Sequence, residues 1–331
     1  MPENAPPGYQ PKFELLARDI VRYVGESVAM VVAKSLEEAT NATDLIEVEY
    51  EVLPASISLE EAASDGAPEV WPGKAPFNVG FLWQGGEMET VVTALRKAEH
   101  LVEIDVINNR VSIAAMECRA AIGVHDKISG RSTRYTASQM PHPLRADLAK
   151  IFNEPEDNFR VIIGDVGGGF GAKNSMYCEQ ALVVWASRLL ECPVKWVGDR
   201  SDAFITDFHG RDNFTHAELA LDKDGNFLGL LVDEMANLGA YISGRGAIPP
   251  VLNQPALSGT YKTPAIHVRV RGMFTNTVPT DVYRGAGRPE AIYLLERLID
   301  KAALELNIDR IDLRRRNIID PDSFPYQTPL G

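Results

Sequence analysis

Apolar and polar residues alternate with a period that changes along the chain, and each change marks an element. Val21 to Ala33 is rich in strand formers and broken at Gly25-Glu26. Leu36 to Leu45 predicts a helix. Ile46 to Leu53 reads Ile-Glu-Val-Glu-Tyr-Glu-Val-Leu, the alternation of a half-exposed strand. These segments predict a small α+β unit over residues 1–65, whose first strand follows a polar tail so closely that the unit reads as incomplete. Ser64 to Glu87 is rich in Gly, Pro, Ala and Trp with little periodicity, which predicts a surface linker over 66–86.

A larger region, 87–331, follows. Val91 to Ala98 predicts a short helix. Leu101 to Val106, Arg119 to His125 and Ser132 to Ala137 predict strands, and Pro143 to Phe152 a helix opening at Pro-His-Pro. Asn158 to Ile163, Ser175 to Leu190 and Val194 to Val197 form a βαβ pattern. Phe214 to Leu221 and Phe227 to Asn237 predict strands joined by the hairpin turn Asp222-Lys-Asp-Gly225. Gly239 to Ser258 predicts a long loop, a length that points to function inside a compact domain. Ile266 to Phe274 predicts a strand. Ala291 to Leu306 predicts a helix with Ile292, Leu295, Leu298, Ile299, Ala302 and Leu306 on one face. The fold class expected is α+β.

Composition narrows the partners. The 331 residues carry a net charge of −13, and no Lys/Arg run exceeds Arg314-Arg315-Arg316, which suits a helix end. Nucleic acid and anionic membrane are therefore not the expected partners. No apolar run is long enough for a membrane span. Met1-Pro-Glu-Asn-Ala-Pro-Pro7 has neither the basic region nor the apolar core of a secretion signal. Cys118, Cys178 and Cys192 are far apart, so the chain alone supplies neither an iron–sulfur cluster nor a structural zinc site. Three thiols and no visible signal fit a reducing, cytoplasmic compartment; a leader removed from a longer chain would leave the periplasm open.

The densest chemical signal is Val161-Ile-Ile-Gly-Asp-Val-Gly-Gly-Gly-Phe-Gly-Ala-Lys173, with five glycines from Gly164 to Gly171. Glycine at this density costs backbone entropy, and a bare turn needs one or two. Successive N–H groups at a strand-to-helix turn make an anion-binding concavity, so a ligand loop is expected. Gly167-x-Gly169-x-x-Ala172 also satisfies a relaxed dinucleotide fingerprint, with Asp199 closing the next strand, which opens the alternative of an NAD(P)-dependent dehydrogenase. Against it, the loop lies mid-chain and the acid stands further on than the usual ~20 residues.

Two more segments extend the picture: Val282-Tyr-Arg-Gly-Ala-Gly-Arg-Pro-Glu290, a second glycine loop opening a helix, and Tyr135-Thr-Ala-Ser-Gln-Met-Pro-His142. In this order the three segments resemble the molybdenum hydroxylase family, which contains xanthine dehydrogenase, aldehyde oxidase and aerobic carbon monoxide dehydrogenase. Val21-Arg-Tyr-Val-Gly-Glu26 and Ala39 to Pro54 resemble its α/β hammerhead domain. Met116-Glu-Cys-Arg119 is similar to its Met-Glu-Pro-Arg stretch, with Cys118 in place of proline, and Asp207-Phe-His-Gly-Arg-Asp212 also resembles it. The resemblance implies a partial hammerhead domain followed by the first part of a molybdopterin-binding domain. It implies molybdenum on molybdopterin, expected in the cytosine dinucleotide form, and hydroxylation with water-derived oxygen. Electrons would leave through an iron–sulfur subunit and a FAD subunit, and a second molybdenum-subunit half is a further expected partner. Gly168, Gly169, Phe170, Gly171 and Ala172 would line the cofactor, with Arg284, Gly285 and Ala286 from the second loop. Gln139, Phe170 and Arg284 would lie nearest the metal, through amide or backbone groups. Read without the resemblance, Gln139 is equally a cap for the next helix. Arg284 and Arg288 are cations at a helix start, a position that favours an anion as partner. His142, His209 and His216 are isolated and read as structural.

Three positions bear on substrate through the resemblance. Asn174 stands where purine-specific members carry glutamate, and Val251 stands near their substrate arginine. Gly285 follows Arg284 where carbon monoxide dehydrogenase carries a copper-bearing cysteine. Asn174, Val251 and Ala286 are the expected substrate-facing residues, and an aldehyde or N-heteroaromatic compound is the expected substrate. The family's general-base glutamate lies near the end of its longer chains, so no catalytic residue is assigned here. The chain reads as a fragment or one half of a split subunit, inactive alone. A non-catalytic assembly protein derived from the family is a third reading.

Overall fold

The computed structural model describes residues 8–252 and 254–331; the segment read for a secretion signal, residues 1–7, lies outside them. In chain order the elements are α1 (Leu36–Thr43), α2 (Leu59–Ala62), β1 (Val79–Gly86), α3 (Met88–Lys97), β2 (His100–Asn108), β3 (Ala120–His125), β4 (Ser132–Thr136), α4 (Pro141–Phe152), β5 (Phe159–Ile162), α5 (Cys178–Leu190), β6 (Val194–Val197), α6 (Arg200–Thr206), β7 (Asn213–Leu221), β8 (Phe227–Gly239), β9 (Ile266–Phe274), α7 (Arg288–Leu306) and α8 (Arg310–Asn317).

Five strands form the larger sheet in the order β1-β9-β8-β7-β2, with β8 and β9 parallel and the other pairs antiparallel. The β7–β8 hairpin turns where expected, because Asp222 Oδ1 accepts the N–H groups of Asp224 and Asn226. Helix α7 buries Ala291, Leu294, Leu295, Leu298, Ile299, Ala302 and Ala303 in the main core. Ile292 is half exposed: it lies at the edge of the apolar stripe, and Leu294 takes the buried place instead. The Gly239–Ser258 stretch winds through turns at 248–252 and 254–258, and Tyr241, Ile242, Ala247, Val251 and Leu257 pack into the same core.

The smaller sheet has the order β5-β4-β3-β6, with β4 and β5 parallel and β3 antiparallel to β4 and β6. Helix α5 lies so close to β3 that a Cβ on Gly123 would stand 2.3 Å from the Val183 carbonyl oxygen. The expected β5–α5–β6 crossover forms, but β4 and β3 intervene and β5 is an edge strand. A dinucleotide fold places its glycine loop within a parallel sheet. Here the sheet is mixed, and Asp199 caps α6 by accepting the Asp202 N–H instead of closing a ribose site. The dehydrogenase alternative is therefore set aside.

Three local expectations fail. Val21–Ala33 and Ile46–Leu53 carry no strand among the described residues, and residues 43–55 are all exposed. Alternation makes a segment competent for a strand, but a strand also needs a neighbour to take its N–H and C=O groups. Conversely, Val79–Gly86 lies within the stretch read as a linker and is an edge strand paired with β9. Gly80, Gly85 and Gly86 interrupt its pattern and hid it. No helix among the described residues is long and apolar enough to cross a membrane.

Candidate cofactor site

Loops from the two sheets converge on one surface. The first runs from Gly164 to Lys173 after β5, and the second, Val282 to Gly287, opens α7. The Arg284 N–H donates to the Phe170 carbonyl at 2.9 Å. Gly171 has φ +113°, and a Cβ there would stand 2.0 Å from the Val282 carbonyl oxygen, so only glycine allows this approach. Behind the contact, Ser175 Oγ donates to Asp281 Oδ2 at 2.6 Å and Asp281 Oδ1 accepts the Val282 N–H at 2.6 Å. Burial raises the Asp281 pKa even against these bonds. The Tyr177 hydroxyl donates to the Ala172 carbonyl and accepts the Phe208 N–H.

Gln139 joins the loops from the end of β4. Its N–H donates to the Lys173 carbonyl at 3.0 Å, and its Oε1 accepts the Gly171 N–H at 2.9 Å. A backbone N–H can only donate, so the amide oxygen must face it and Nε2 turns away, with no partner among the described residues. The N–H groups of Gly168, Gly169 and Phe170 likewise have no partner among those residues. Gly168 and Phe170 have φ of +100° and +50°, the alternation that turns successive N–H groups to one side. The exposed Arg284 side chain forms no ion pair among the described residues.

Other expected site residues are placed as follows. Ala172 is buried beneath the first loop and its N–H closes a turn onto Gly169. Gly285 has φ +96°, and Ala286 φ +49° with its N–H on the Tyr283 carbonyl. Asn174 is half-buried, with its N–H on the Gly171 carbonyl at 3.1 Å. Val251 is 2% exposed and packs in the main core. Its turn still reaches the second loop, since a Cβ on Gly287 would stand 2.1 Å from the Pro249 oxygen.

Several residues that hold the site were not singled out in the sequence. Lys173, 2% exposed, pairs with Glu117 Oε2 at 2.8 Å, and the same oxygen accepts the Gly167 N–H. Burial disfavours the Glu117 carboxylate, but the Lys173 and Gly167 bonds outweigh it and hold its pKa below the usual range. Arg211 donates to Glu290 Oε1 at 2.7 Å and to the Arg284 carbonyl at 2.9 Å, with its guanidinium over the Tyr283 ring. Glu117 and Arg211 lie in motifs noticed in the sequence, but nothing local gave them a role.

The surface thus offers directed donors and, among the described residues, a cation without an ion pair. Among the described residues no group of three His, Cys, Asp or Glu side chains could hold a metal ion. A metal would have to arrive carrying its own ligands, and donors of this kind suit an oxygen-rich, anionic complex.

A surface of directed donors suits an anionic ligand, and sequence comparison places the chain in a cofactor-binding family. The chain matches the molybdopterin cofactor-binding domain over residues 72–318, and the α/β hammerhead domain of aldehyde oxidase and xanthine dehydrogenase over residues 3–54. It belongs to the molybdenum hydroxylase family, within the molybdopterin-binding subunits of its oxidoreductases. It is 32% identical over 317 residues to the 6-hydroxypseudooxynicotine dehydrogenase complex subunit gamma of Paenarthrobacter nicotinovorans, covering 96% of this chain and 39% of that one. It is 34% identical over 335 residues to the carbon monoxide dehydrogenase large chain of Afipia carboxidovorans, covering 96% and 41%. Among solved structures, quinoline 2-oxidoreductase from Pseudomonas putida 86 matches with a TM-score of 0.91 at 34% identity, covering 98% of this chain and 42% of that one. The chain spans about two fifths of the length of these curated relatives.

Proposed function

We propose that the intact protein hydroxylates an N-heteroaromatic compound or an aldehyde with water-derived oxygen, using molybdopterin in its cytosine dinucleotide form. The observation that carries this reading is the set of donors without a partner among the described residues: Gln139 Nε2, the N–H groups of Gly168, Gly169 and Phe170, and the Arg284 guanidinium. When bound, the molybdenum centre would supply the redox chemistry. The residues of this chain bind and orient it. Gln139 would donate a hydrogen bond to an oxygen of the complex, the loop N–H groups would cradle it, and Arg284 would neutralise its charge.

The substrate class rests on Asn174. A neutral amide there cannot supply the charge that a purine ring needs as hydroxide adds, whereas a pyridine-type ring or an aldehyde carbon is already electrophilic. The relatives named for 6-hydroxypseudooxynicotine and quinoline point the same way. Gly285 leaves no thiol for copper beside Arg284. In this reading residues 1–65 belong to the hammerhead domain, and the cofactor domain that follows already includes β1. Iron–sulfur and FAD subunits take the electrons in the cytoplasm, the general base lies outside these residues, and this chain alone is inactive.

The test is kcat/KM of the full-length enzyme for quinoline, benzaldehyde and xanthine with one artificial acceptor, alongside molybdenum and pterin analysis. Quinoline or benzaldehyde is expected to exceed xanthine at least tenfold. A preference for xanthine would overturn the substrate class, and native protein without molybdenum or pterin would overturn the function.

A further inference from the structure

Glu117 lies outside all three cofactor segments, between β2 and β3, yet it grips the first loop at both ends. Its N–H donates to the Gly167 carbonyl at 3.0 Å, and its Oε2 accepts the Gly167 N–H at 2.9 Å and Lys173 Nζ at 2.8 Å. A Cβ on Gly167 would stand 2.5 Å from Glu117 Cβ, so the two strands of chain are in contact. Lys173 has no other side-chain hydrogen-bond partner among the described residues, and at 2% exposure its ammonium is largely shielded from water. The Lys173 carbonyl in turn accepts the Gln139 N–H and the Ser138 hydroxyl. One carboxylate therefore fixes the start of the loop directly and its end through a buried ammonium. The end it fixes also sets the height of Gln139.

We propose that Glu117 and Lys173 are positioning residues: their ion pair pre-sets the glycine loop and Gln139 in cofactor-ready directions before any cofactor arrives. The geometry stands by itself; only the word cofactor rests on the function proposed above. A cradle fixed in advance loses less conformational freedom on binding, so it holds its ligand more tightly than a loop ordered by the ligand.

The experiment compares full-length wild-type protein with Glu117→Gln, Glu117→Asp and the double variant Glu117→Gln/Lys173→Met. Amide exchange of cofactor-free protein reads the loop, and molybdenum content per folded molecule reads its consequence. In Glu117→Gln, peptides spanning Gly167–Gly171 should exchange at least tenfold faster while the β7–β8 hairpin is unchanged, and molybdenum content should fall severalfold. Glu117→Asp keeps the charge but shortens the reach, and should fall between wild type and Glu117→Gln. The double variant removes the stranded ammonium and should recover stability but not loop protection. Wild-type exchange and molybdenum content in a folded Glu117→Gln would overturn the proposal. If that variant does not fold, Glu117→Asp decides on the same readouts: faster loop exchange supports the proposal and wild-type exchange overturns it. Wild-type protein lacking molybdenum would sink the proposed function, and the exchange measurement would still decide this one.

Discussion

At Glu234 a carboxyl group is buried between two amide donors, Asn213 and Gln254, and burial, with Glu290 nearby, pushes its pKa up to about 7. The unfolded chain ionises this group near 4.5, while the native state keeps the proton until about 7. The unfolded state therefore releases its proton first, and stability falls as pH rises through that window, by about 3 kcal/mol from this group. Urea unfolding at pH 5 and pH 8 should show a Glu234→Gln variant losing about that much less than wild type between the two. Equal losses would mean that Glu234 ionises normally in the fold. Two loop positions give a second comparison. Gln139→Ala strips the buried Gly171 N–H of its acceptor, a loss of about 1–3 kcal/mol. Gly171→Ala places a Cβ against the Val282 carbonyl at φ +113° and should cost about 2–4 kcal/mol, together with most of the bound molybdenum in the full-length enzyme. A Gly171→Ala protein with wild-type stability and molybdenum content would remove the loop contact from the argument.

Helix α7 and the second loop are tied together because Arg211 links Glu290, in the first turn of the helix, to the Arg284 carbonyl. Glu290 is 7% exposed, and its Oε2 has no partner among the described residues. Arg211→Met would leave that carboxylate buried without a countercharge and should cost about 3–5 kcal/mol. Arg211→Lys keeps the charge but loses the planar fork and should cost about 1–2 kcal/mol. The double variant Arg211→Met/Glu290→Gln should cost less than the sum of its single changes; additive losses in urea unfolding would show that the two side chains are not coupled. Such ties explain what could be read in advance. The β7–β8 hairpin, α5 and α7 were legible because long periodic runs and turn residues are local signals. The first glycine loop stood out because glycine density needs a reason, whereas Gln139 and the second loop gained a role only through the family resemblance, since Gln139 read alone is equally a helix cap. The Gln139–Gly171 bond spans 32 positions and Ser175–Asp281 spans 106, so no local pattern encodes them. Strand β1 was hidden by its glycines, and α6 is only seven residues long.

At the scale of the whole molecule, the longest unbroken exposed run among the described residues begins at the end of α1. Residues 43–55 are exposed without interruption; Val52 is 91% and Tyr50 59% exposed, with Ile46 and Val48 beside them. Helix α1 buries no residue either. A β-branched run whose N–H and C=O groups pair with no strand among the described residues is a template for another chain. The net charge of −13 opposes association, and added salt screens that repulsion within about 10 Å at 0.1 M. The chain expressed alone should therefore self-associate more as salt rises, seen as a growing average mass by light scattering. Charge and edge can be separated. Val48→Lys/Val52→Lys brings the net charge from −13 to −11, which weakens repulsion and, on charge alone, would increase association. Lysine on a strand edge instead blocks pairing, so the double variant should remain monomeric where wild type does not. Stronger association of the lysine variant would place the contact elsewhere on the molecule.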